Sequence, residues 1–530
     1  MPVLAPIAGW HIRVPPQWTL FGGITHILVV IDPLFPSSDP RVVATQAPPD
    51  FSWPHVEAGG LLCLPALRRS ASPSDRVLKA IEYTFELGAY DADERKREFT
   101  REFKAYWDHK KSPSSPLFWT LVPVDGNPAV VWYYNDRDSH RYIFCDSKDR
   151  LREWLRNAGK NPDDKQFFSV PLATFEDPPT PSEFPKLGSD VLNAALGTEL
   201  RKYVTPGEPF PILLRVRTET GVVFAGVILQ SPSQKDLLKG FRTIRHVPWD
   251  RVLMAVAARP VLRCRADRID APWIHGRDHN DELHLLVEKR IALVGCGAIG
   301  ASVARLLVQA GVQRLDLIDD DLLMASNTSR HALGQEHVGK KKVDKTASML
   351  QRDFPHIHPI RTHDCKIQNL GGAELHKLAQ YDLIISAGID FLGDAYIDRW
   401  RRSLENPPPH LATWTEEFAL AAHAALLIDK HYLLDYFDDN GHPSFVATTW
   451  GTTSTVRLEA GCGNAFQPHG AVDLVNAVSL ASRLALDCLL GISQASCRRV
   501  WLGSRERVLA LGGTPTEQFV DSNLVQEAKL

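Results

Sequence analysis

The sequence predicts an α/β chain, and three observations point that way. Residues 291–294 (IALV) read as a buried strand, followed by a glycine turn and a helix with Ile299, Val303, Leu306, Leu307 and Ala310 on one face, and then by a second strand ending in acid. Near the N-terminus, ITHILVVI (24–31) and RVVATQ (41–46) read as two strands joined by the turn DPLFPSSDP. The composition, 44% hydrophobic and 23% charged, is that of an ordinary globular chain. At ~150 residues per domain, the length suggests about three domains. Breaks are expected near residue 100, by the charged run DADERKREFTREF, and near 270, by the polar HGRDHNDE. This gives segments 1–100, 101–270 and 271–530.

Composition also narrows function. Sixty Lys+Arg against 63 Asp+Glu leave a formal net charge of −3, so no overall positive field draws in nucleic acid or an anionic membrane surface. The apolar stretch FALAAHAALLI (418–428) is far shorter than the ~20 residues a membrane span requires. The start MPVLAPIAGWHIRVPP does not read as a secretion signal, so the expected compartment is the cytosol. Eight scattered cysteines with no C-x-x-C pair exclude a disulfide framework and the usual paired-thiolate zinc site.

Along the chain, the first two strands and an irregular stretch lead to a helix with Val77, Leu78, Ile81 and Phe85 at helical spacing, capped by Ser74 or Asp75. The middle segment mixes short strands (VVWYY, RYIFC) with a helical DRLREWLRNAG, an α/β or α+β linker domain whose sequence shows no function. The third segment carries the chemistry. Gly295, Gly297 and Gly300 form G-x-G-x-x-G directly after a strand and at a helix start, where backbone amides can approach phosphate. Asp319, 19 residues beyond Gly300, suits a ribose hydroxyl. Alone, this pattern reads as a dinucleotide oxidoreductase. Asn327, Arg330 and Lys342 shift the reading, because hydride transfer has no need of them whereas developing charge on an α-phosphate does. Such chemistry usually takes Mg²⁺ held by a carboxylate, and Asp390, just after the buried strand DLIISAG, is placed for that.

LVGCGAIG, LIDDD, SNTSRH and VGKKKVDK together resemble the nucleotide signature of the ubiquitin-activating, ThiF and MoeB superfamily of adenylyltransferases, over about residues 275–475. The resemblance implies a Rossmann-like adenylation domain, ATP as substrate, Asp319 on ribose, and Asn327, Arg330 and Lys342 on the phosphates. The turn SAGID departs from the family's T-D-N-like turn, so the metal role of Asp390 needs a one-residue shift. The family often borrows an arginine from a homodimer partner, and Arg277, with Arg290 as fallback, is placed for that.

Cys462, in GCGNAFQPHGAVDL before a helix, is surrounded by small residues and fits an acyl-accepting thiol, with a small buried hydrophobe as the alternative. It resembles the superfamily's catalytic cysteine. Cys296, Cys488 and Cys145 read as packing, and His469 is a residue of open role. Cys63, in PHVEAGGLLCLP, fits a core or a reactive thiol equally from chemistry alone. The order ILVVID, LFPSSDPRVVA, PHVEAGGLLCL, then helix, resembles an α+β ubiquitin-conjugating domain, which implies that Cys63 is its thiol. His55-Val56-Glu57 replaces the usual His-Pro-Asn.

Both ends together resemble bacterial fusions of a conjugating domain to an activating domain, of the type found in CBASS antiphage operons and related bacterial ubiquitin-like pathways. The implied partners are a ubiquitin-like or other protein modifier, a target amine and a second copy of the chain, with no nucleic acid and no membrane. The expected reaction is ATP-dependent adenylation of the modifier's C-terminus, thioester formation on Cys462, transfer to Cys63 and conjugation. The alternatives are a sulfur-carrier adenylyltransferase of the ThiF/MoeB type, an NAD-linked oxidoreductase, and a nucleotide-gated scaffold.

Overall fold

The computed structural model describes the chain apart from residues 1–7, 47–50, 58, 67–71, 127, 196–207, 244–245, 440–441, 452–453, 459–464, 518 and 520–530. It divides into two compact units, one of Met1–Leu151 with Asp163–Ile269 and one of Arg152–Pro162 with Asp270–Leu530. Among the described residues no helix is long and apolar enough to cross a membrane.

In the first unit, β1 (Ala8–Arg13), β2 (His26–Ile31) and β3 (Arg41–Ala44) form an antiparallel sheet with Leu28 facing Val43 and Val29 facing Val42. Helix α1 (Pro73–Gly88) covers it, burying Ala80 and Leu87 in one cluster with Val29, Val42 and Trp53. The cap is Ser72, whose hydroxyl accepts from Asp75 N at 3.1 Å, rather than Ser74 or Asp75. Pro73 explains the earlier start, since its fixed φ is already helical and its missing N–H costs nothing in the first turn. Leu78, expected on the apolar face, is 57% exposed.

Helices α2 (Ala92–Arg101) and α3 (Phe103–His109) follow, joined at Glu102. Asp91 and Glu94 close a capping box at the start of α2. Trp107 of α3 is fully buried, its Nε1 donating to Cys264 O at 2.9 Å. The second sheet of this unit is mixed and eight-stranded. Its strands are β4 (Leu117–Thr120), β5 (Val130–Asp136), β6 (Arg141–Cys145), β7 (Phe167–Pro171), β8 (Ala173–Phe175), β9 (Phe210–Thr218), β10 (Gly221–Leu229) and β11 (Leu262–Arg268). They run in the order β7-β5-β6-β4-β11-β10-β9-β8, and the near-continuous apolar run of β9 is buried from Phe210 to Val216.

The second unit is built on β12 (Arg290–Val294), β13 (Arg314–Ile318), β14 (Arg361–His363), β15 (Leu383–Ala387), β16 (His410–Thr415), β17 (Ala421–Leu427) and β18 (Cys497–Leu502), in the order β14-β13-β12-β15-β16-β17-β18. The first five pair parallel with one another, whereas β17 pairs antiparallel with β16 and β18 antiparallel with β17. Strand order reverses between β12 and β15, so the loops leaving those two strands part to opposite faces and open a crevice at their carboxyl ends. Four helices frame it: α4 (Ala298–Ala310), α5 (Lys342–Asp353), α6 (Phe391–Arg402) and α7 (Ala471–Leu489). On α4 the buried face is Ile299, Ala301, Val303, Ala304, Leu307 and Val308. Leu306, expected there, is 40% exposed, because the stripe facing the core is centred on Ala304.

Candidate active site

The crevice begins with the glycine loop. Gly295 has φ +91°, and a Cβ there would lie 2.7 Å from Ala387 O. A Cβ on Gly300 would lie 1.8 Å from Gly295 O, so α4 closes on the loop only without one. At Gly297 a Cβ would meet nothing within 4 Å. The three glycines thus divide into two that the packing demands and one that keeps space open. Cys296 between them is fully buried, and burial pushes its thiol well above the ordinary value, in keeping with a packing role.

Two cavities share the loop. The first, of about 280 Å³, is lined by Gly295, Gly297, Asp319–Asp321, Lys342, Cys365–Gln368 and Gly388–Asp390. The second, of about 390 Å³, is lined by Gly297–Ile299, Asn327, Arg330, His331, Lys342, Trp414, Thr415, His469 and Leu474. Gly297, Lys342 and Ala387–Ile389 border both. The structure therefore brings Gly295, Gly297, Asp319, Asn327, Arg330, Lys342 and Asp390 to the rims of two adjoining cavities. The N-terminal turns of α4 and α7 both open on the second, adding partial positive charge to that of Arg330 and Lys342.

Asp319 Oδ2 accepts from Cys296 N at 2.6 Å and Oδ1 from Asp321 N at 2.8 Å, tying the end of β13 to the glycine loop. Burial pushes its carboxyl up, and the two amides oppose that rise. Lys342, only 9% exposed, opens α5 and places Nζ 2.8 Å from Asp321 Oδ2. Asn327 Oδ1 accepts from Met324 N at 3.1 Å, and Arg330 Nη1 donates to Ser326 O at 3.2 Å, which together order the turn carrying both side chains. Asp390 caps α6, its Oδ1 accepting from Gly393 N at 2.7 Å, while Oδ2 stands 3.8 Å from Lys366 Nζ.

Sequence reasoning gave no role to His331. Leu333 N donates to its Nδ1 at 3.0 Å, so the ring proton is on Nε2, which donates to Cys296 O at 2.7 Å. Burial lowers its basicity, keeping the neutral ring that this pattern requires. His331→Ala would strand a buried carbonyl and a buried amide, and the expected cost is about 2 kcal/mol or more. An unfolding free energy lowered by that amount in denaturant titration, with weakened nucleotide binding, is the check. Lys366 and Gln368 beyond β14, and Trp414 and Thr415 at the end of β16, also went unread, although the carboxyl-end rule for parallel sheets points to such positions.

Arg277, in the left-handed region at φ +52°, lines neither cavity of its own chain. Arg290 opens β12 at the end remote from the glycine loop, its backbone N donating to Asp382 Oδ2 at 2.9 Å. Cys462 lies outside the described residues. His469, half-buried beside Arg330, is made less basic first by burial and then by that guanidinium. Cys145 is fully buried and Cys488 partly so, and burial pushes their thiols up to about 12 and about 11. Cys63 is exposed in the first unit.

Residues 277–406 match the ThiF family. This ThiF segment spans the glycine loop, Asp319, Asn327, Arg330, Lys342 and Asp390. The chain as a whole is similar to the ATP-dependent ubiquitin transferase-like protein Cap2 of Pseudomonas aeruginosa, 24% identical over 89% of this chain and 86% of that protein. The molybdopterin-synthase adenylyltransferase of Escherichia coli is 34% identical over 107 residues, 20% of this chain and 41% of its own. Among solved structures, E. coli MccB with AMPCPP and MccA aligns with 16% identity and a TM-score of 0.31 over 42% of this chain and 66% of that one.

Proposed function

We propose that the chain activates the C-terminus of a protein modifier with ATP, carries it as a thioester and conjugates it to a target amine. The observation that carries this reading is the convergence of the glycine loop, Asp319, Asn327, Arg330 and Lys342 on two adjoining cavities within a ThiF-family segment. Similarity to a ubiquitin transferase-like protein over 89% of the chain supports the further steps.

The nucleoside end of ATP occupies the first cavity with Asp319 on ribose, and the phosphates lie over Gly295–Gly300. The modifier's carboxylate enters through the second cavity, attacks the α-phosphorus and displaces pyrophosphate, leaving an acyl-adenylate. Lys342, Arg330, Asn327 and the helix N-termini meet the charge that develops on phosphoryl oxygens. No group of three or more His, Cys, Asp or Glu among the described residues could hold a metal. Mg²⁺ would come with the triphosphate, and Asp390 would be the protein carboxylate beside it. The Cys462 thiol then takes the acyl group and releases AMP, and Cys63 receives it by thiol exchange before the amine does. We assign residues 1–100 as the conjugating-like part, 101–270 as a linker domain and 271–530 as the adenylation domain. Adenylation by a homodimer with Arg277 given in trans, a cytoplasmic setting and a place in antiphage defence belong to the same reading.

The test combines wild type, Cys63→Ala and Cys462→Ala with ATP, Mg²⁺ and small proteins encoded nearby. Pyrophosphate exchange in all three is expected, with reductant-sensitive adducts on both cysteines of the wild type, on Cys462 alone in Cys63→Ala, and on neither in Cys462→Ala. A full thioester at Cys63 in Cys462→Ala overturns the relay. Turnover without any thiol adduct indicates the sulfur-carrier chemistry, and NAD(H) binding without pyrophosphate exchange an oxidoreductase.

A further inference from the structure

The second cavity is bordered by two kinds of residue. Asn327, Arg330 and Lys342 offer polar groups to a carboxylate and to phosphates, whereas Ile299, Ile389, Trp414 and Leu474 offer apolar surface that neither needs. Trp414 is the largest of the four, and the protein holds its ring from behind. In the β16–β17 pair Trp414 faces His423, and the two rings stack with centroids 4.9 Å apart and planes 15° apart. His423 is fully buried. Arg498 Nη1 donates to its Nδ1 at 3.2 Å, which leaves the ring proton on Nε2, and Nε2 donates to Glu416 Oε1 at 2.8 Å. Glu416 Oε1 also accepts from Ala447 N at 2.7 Å, while Oε2 accepts from Thr448 N at 2.8 Å and from Thr448 Oγ1 at 2.7 Å. Burial acts to raise the Glu416 carboxyl, but these bonds, that of His423 foremost, outweigh it and hold the group below its ordinary value. One ionised carboxylate is thus filled by donors, and the imidazole it fixes is not free to turn.

An apolar wall held rigid beside a carboxylate site has a chemical consequence. Such a surface gains little from a glycine and most from an apolar side chain that leaves water on binding. We propose that the second cavity selects a modifier whose C-terminal residue carries an apolar side chain. Trp414 is its specificity-determining residue, and His423 and Glu416 are positioning residues behind it. This deepens the reading of the second cavity as the entry of the modifier's carboxylate and rests on it. The carboxylate stays with Asn327, Arg330 and Lys342, and the side chain on the same α-carbon lies against the indole. Because the ring is ordered before the tail arrives, little of the gain from burial is lost to fixing it. Leucine is separated from glycine by the apolar area it covers. It is separated from asparagine, of nearly the same size, by the cost of setting an unpaired amide against that wall.

The probes are short peptides identical but for the last residue, which is glycine, asparagine, leucine or phenylalanine with a free carboxylate. The leucine peptide as its C-terminal amide sets the background. Peptide-dependent exchange of pyrophosphate into ATP is measured with the full chain and Mg²⁺. The expected kcat/KM for leucine and phenylalanine exceeds that for glycine by about tenfold or more, chiefly through KM, with asparagine no better than glycine. Trp414→Ala should compress the leucine-to-glycine ratio by about tenfold, and Trp414→Phe, which keeps a ring against His423, should restore much of it. Glu416→Gln, which sets an amide nitrogen against donors, should compress the same ratio, and a wild-type ratio in that variant removes Glu416 and His423 from the proposal. A wild type that treats glycine and leucine alike or prefers glycine, or a ratio unmoved in Trp414→Ala, overturns the inference. So does a chain that ATP stabilises against heat but that shows no exchange with any peptide, because the recognised element is the terminal residue itself. A wild-type chain that ATP does not stabilise instead refutes the proposed function as a whole.

Discussion

Alanine at Gly300 is expected to abolish both nucleotide binding and the stability of the second unit. The added methyl carbon would sit 1.8 Å from Gly295 O and 3.0 Å from Gly295 C, and both obstacles are backbone. No rotamer change relieves such a contact, so α4 has to withdraw from the loop or the loop from β12. Overpacking of this kind costs about 3 kcal/mol or more. Gly297→Ala is the informative contrast, because a Cβ there meets open space and yet borders both cavities. It should melt like the wild type and bind ATP far more weakly. Thermal unfolding with and without ATP separates the two, and a Gly300→Ala protein that melts normally and exchanges pyrophosphate would refute the packing argument.

Lys342→Met is expected to lower adenylate formation by about 10²- to 10³-fold, about 3–4 kcal/mol of transition-state stabilisation. Lys342 is 9% exposed, borders both cavities and is balanced by Asp321, whose side chain is 66% exposed. A cation in that position meets charge that appears on phosphoryl oxygens, whereas the carboxylate left behind is free to hydrate. The loss should therefore fall on the rate of pyrophosphate exchange with little change in melting temperature. An exchange rate within threefold of wild type would remove Lys342 from the machinery. A large fall in melting temperature would instead make it a structural residue.

What the sequence reveals of this site is governed by range. The glycine loop, Asp319 and the Asn327–Arg330–Lys342 series stand within 50 residues of one another, on a strand–helix–strand unit whose local pattern is strong. Trp414, Thr415 and His469 reach the second cavity from β16 and from the start of α7, and no local spacing relates them to the glycines. His331 was hidden for another reason. Its role is a bond to a backbone carbonyl 35 positions away, which depends on tertiary position and not on side-chain type. At α1, helical spacing identified the element but not its orientation, since Pro73 moved the start and the burial of Ala80 and Thr84 turned Leu78 outward. The eight-stranded sheet of the first unit was the least readable part. Its order sets β7-β5-β6-β4 beside β11-β10-β9-β8, and the β4–β11 pairing that joins the two halves across a long stretch of chain leaves no periodic trace.

Helices α4 and α7 are in contact, and buried alanines recur along both: Ala301 and Ala304 on one, Ala477, Ala481 and Ala485 on the other. An alanine has no side-chain torsion with which to absorb a displacement, so this contact behaves as a stiff coupling with no slack. The N-terminus of α4 bears on the glycine loop, and that of α7 continues directly from the His469 segment and, seven residues before it, Cys462. Any adjustment of the loop around a nucleotide therefore moves both helices together. The His469 segment is thereby geared to the glycine loop.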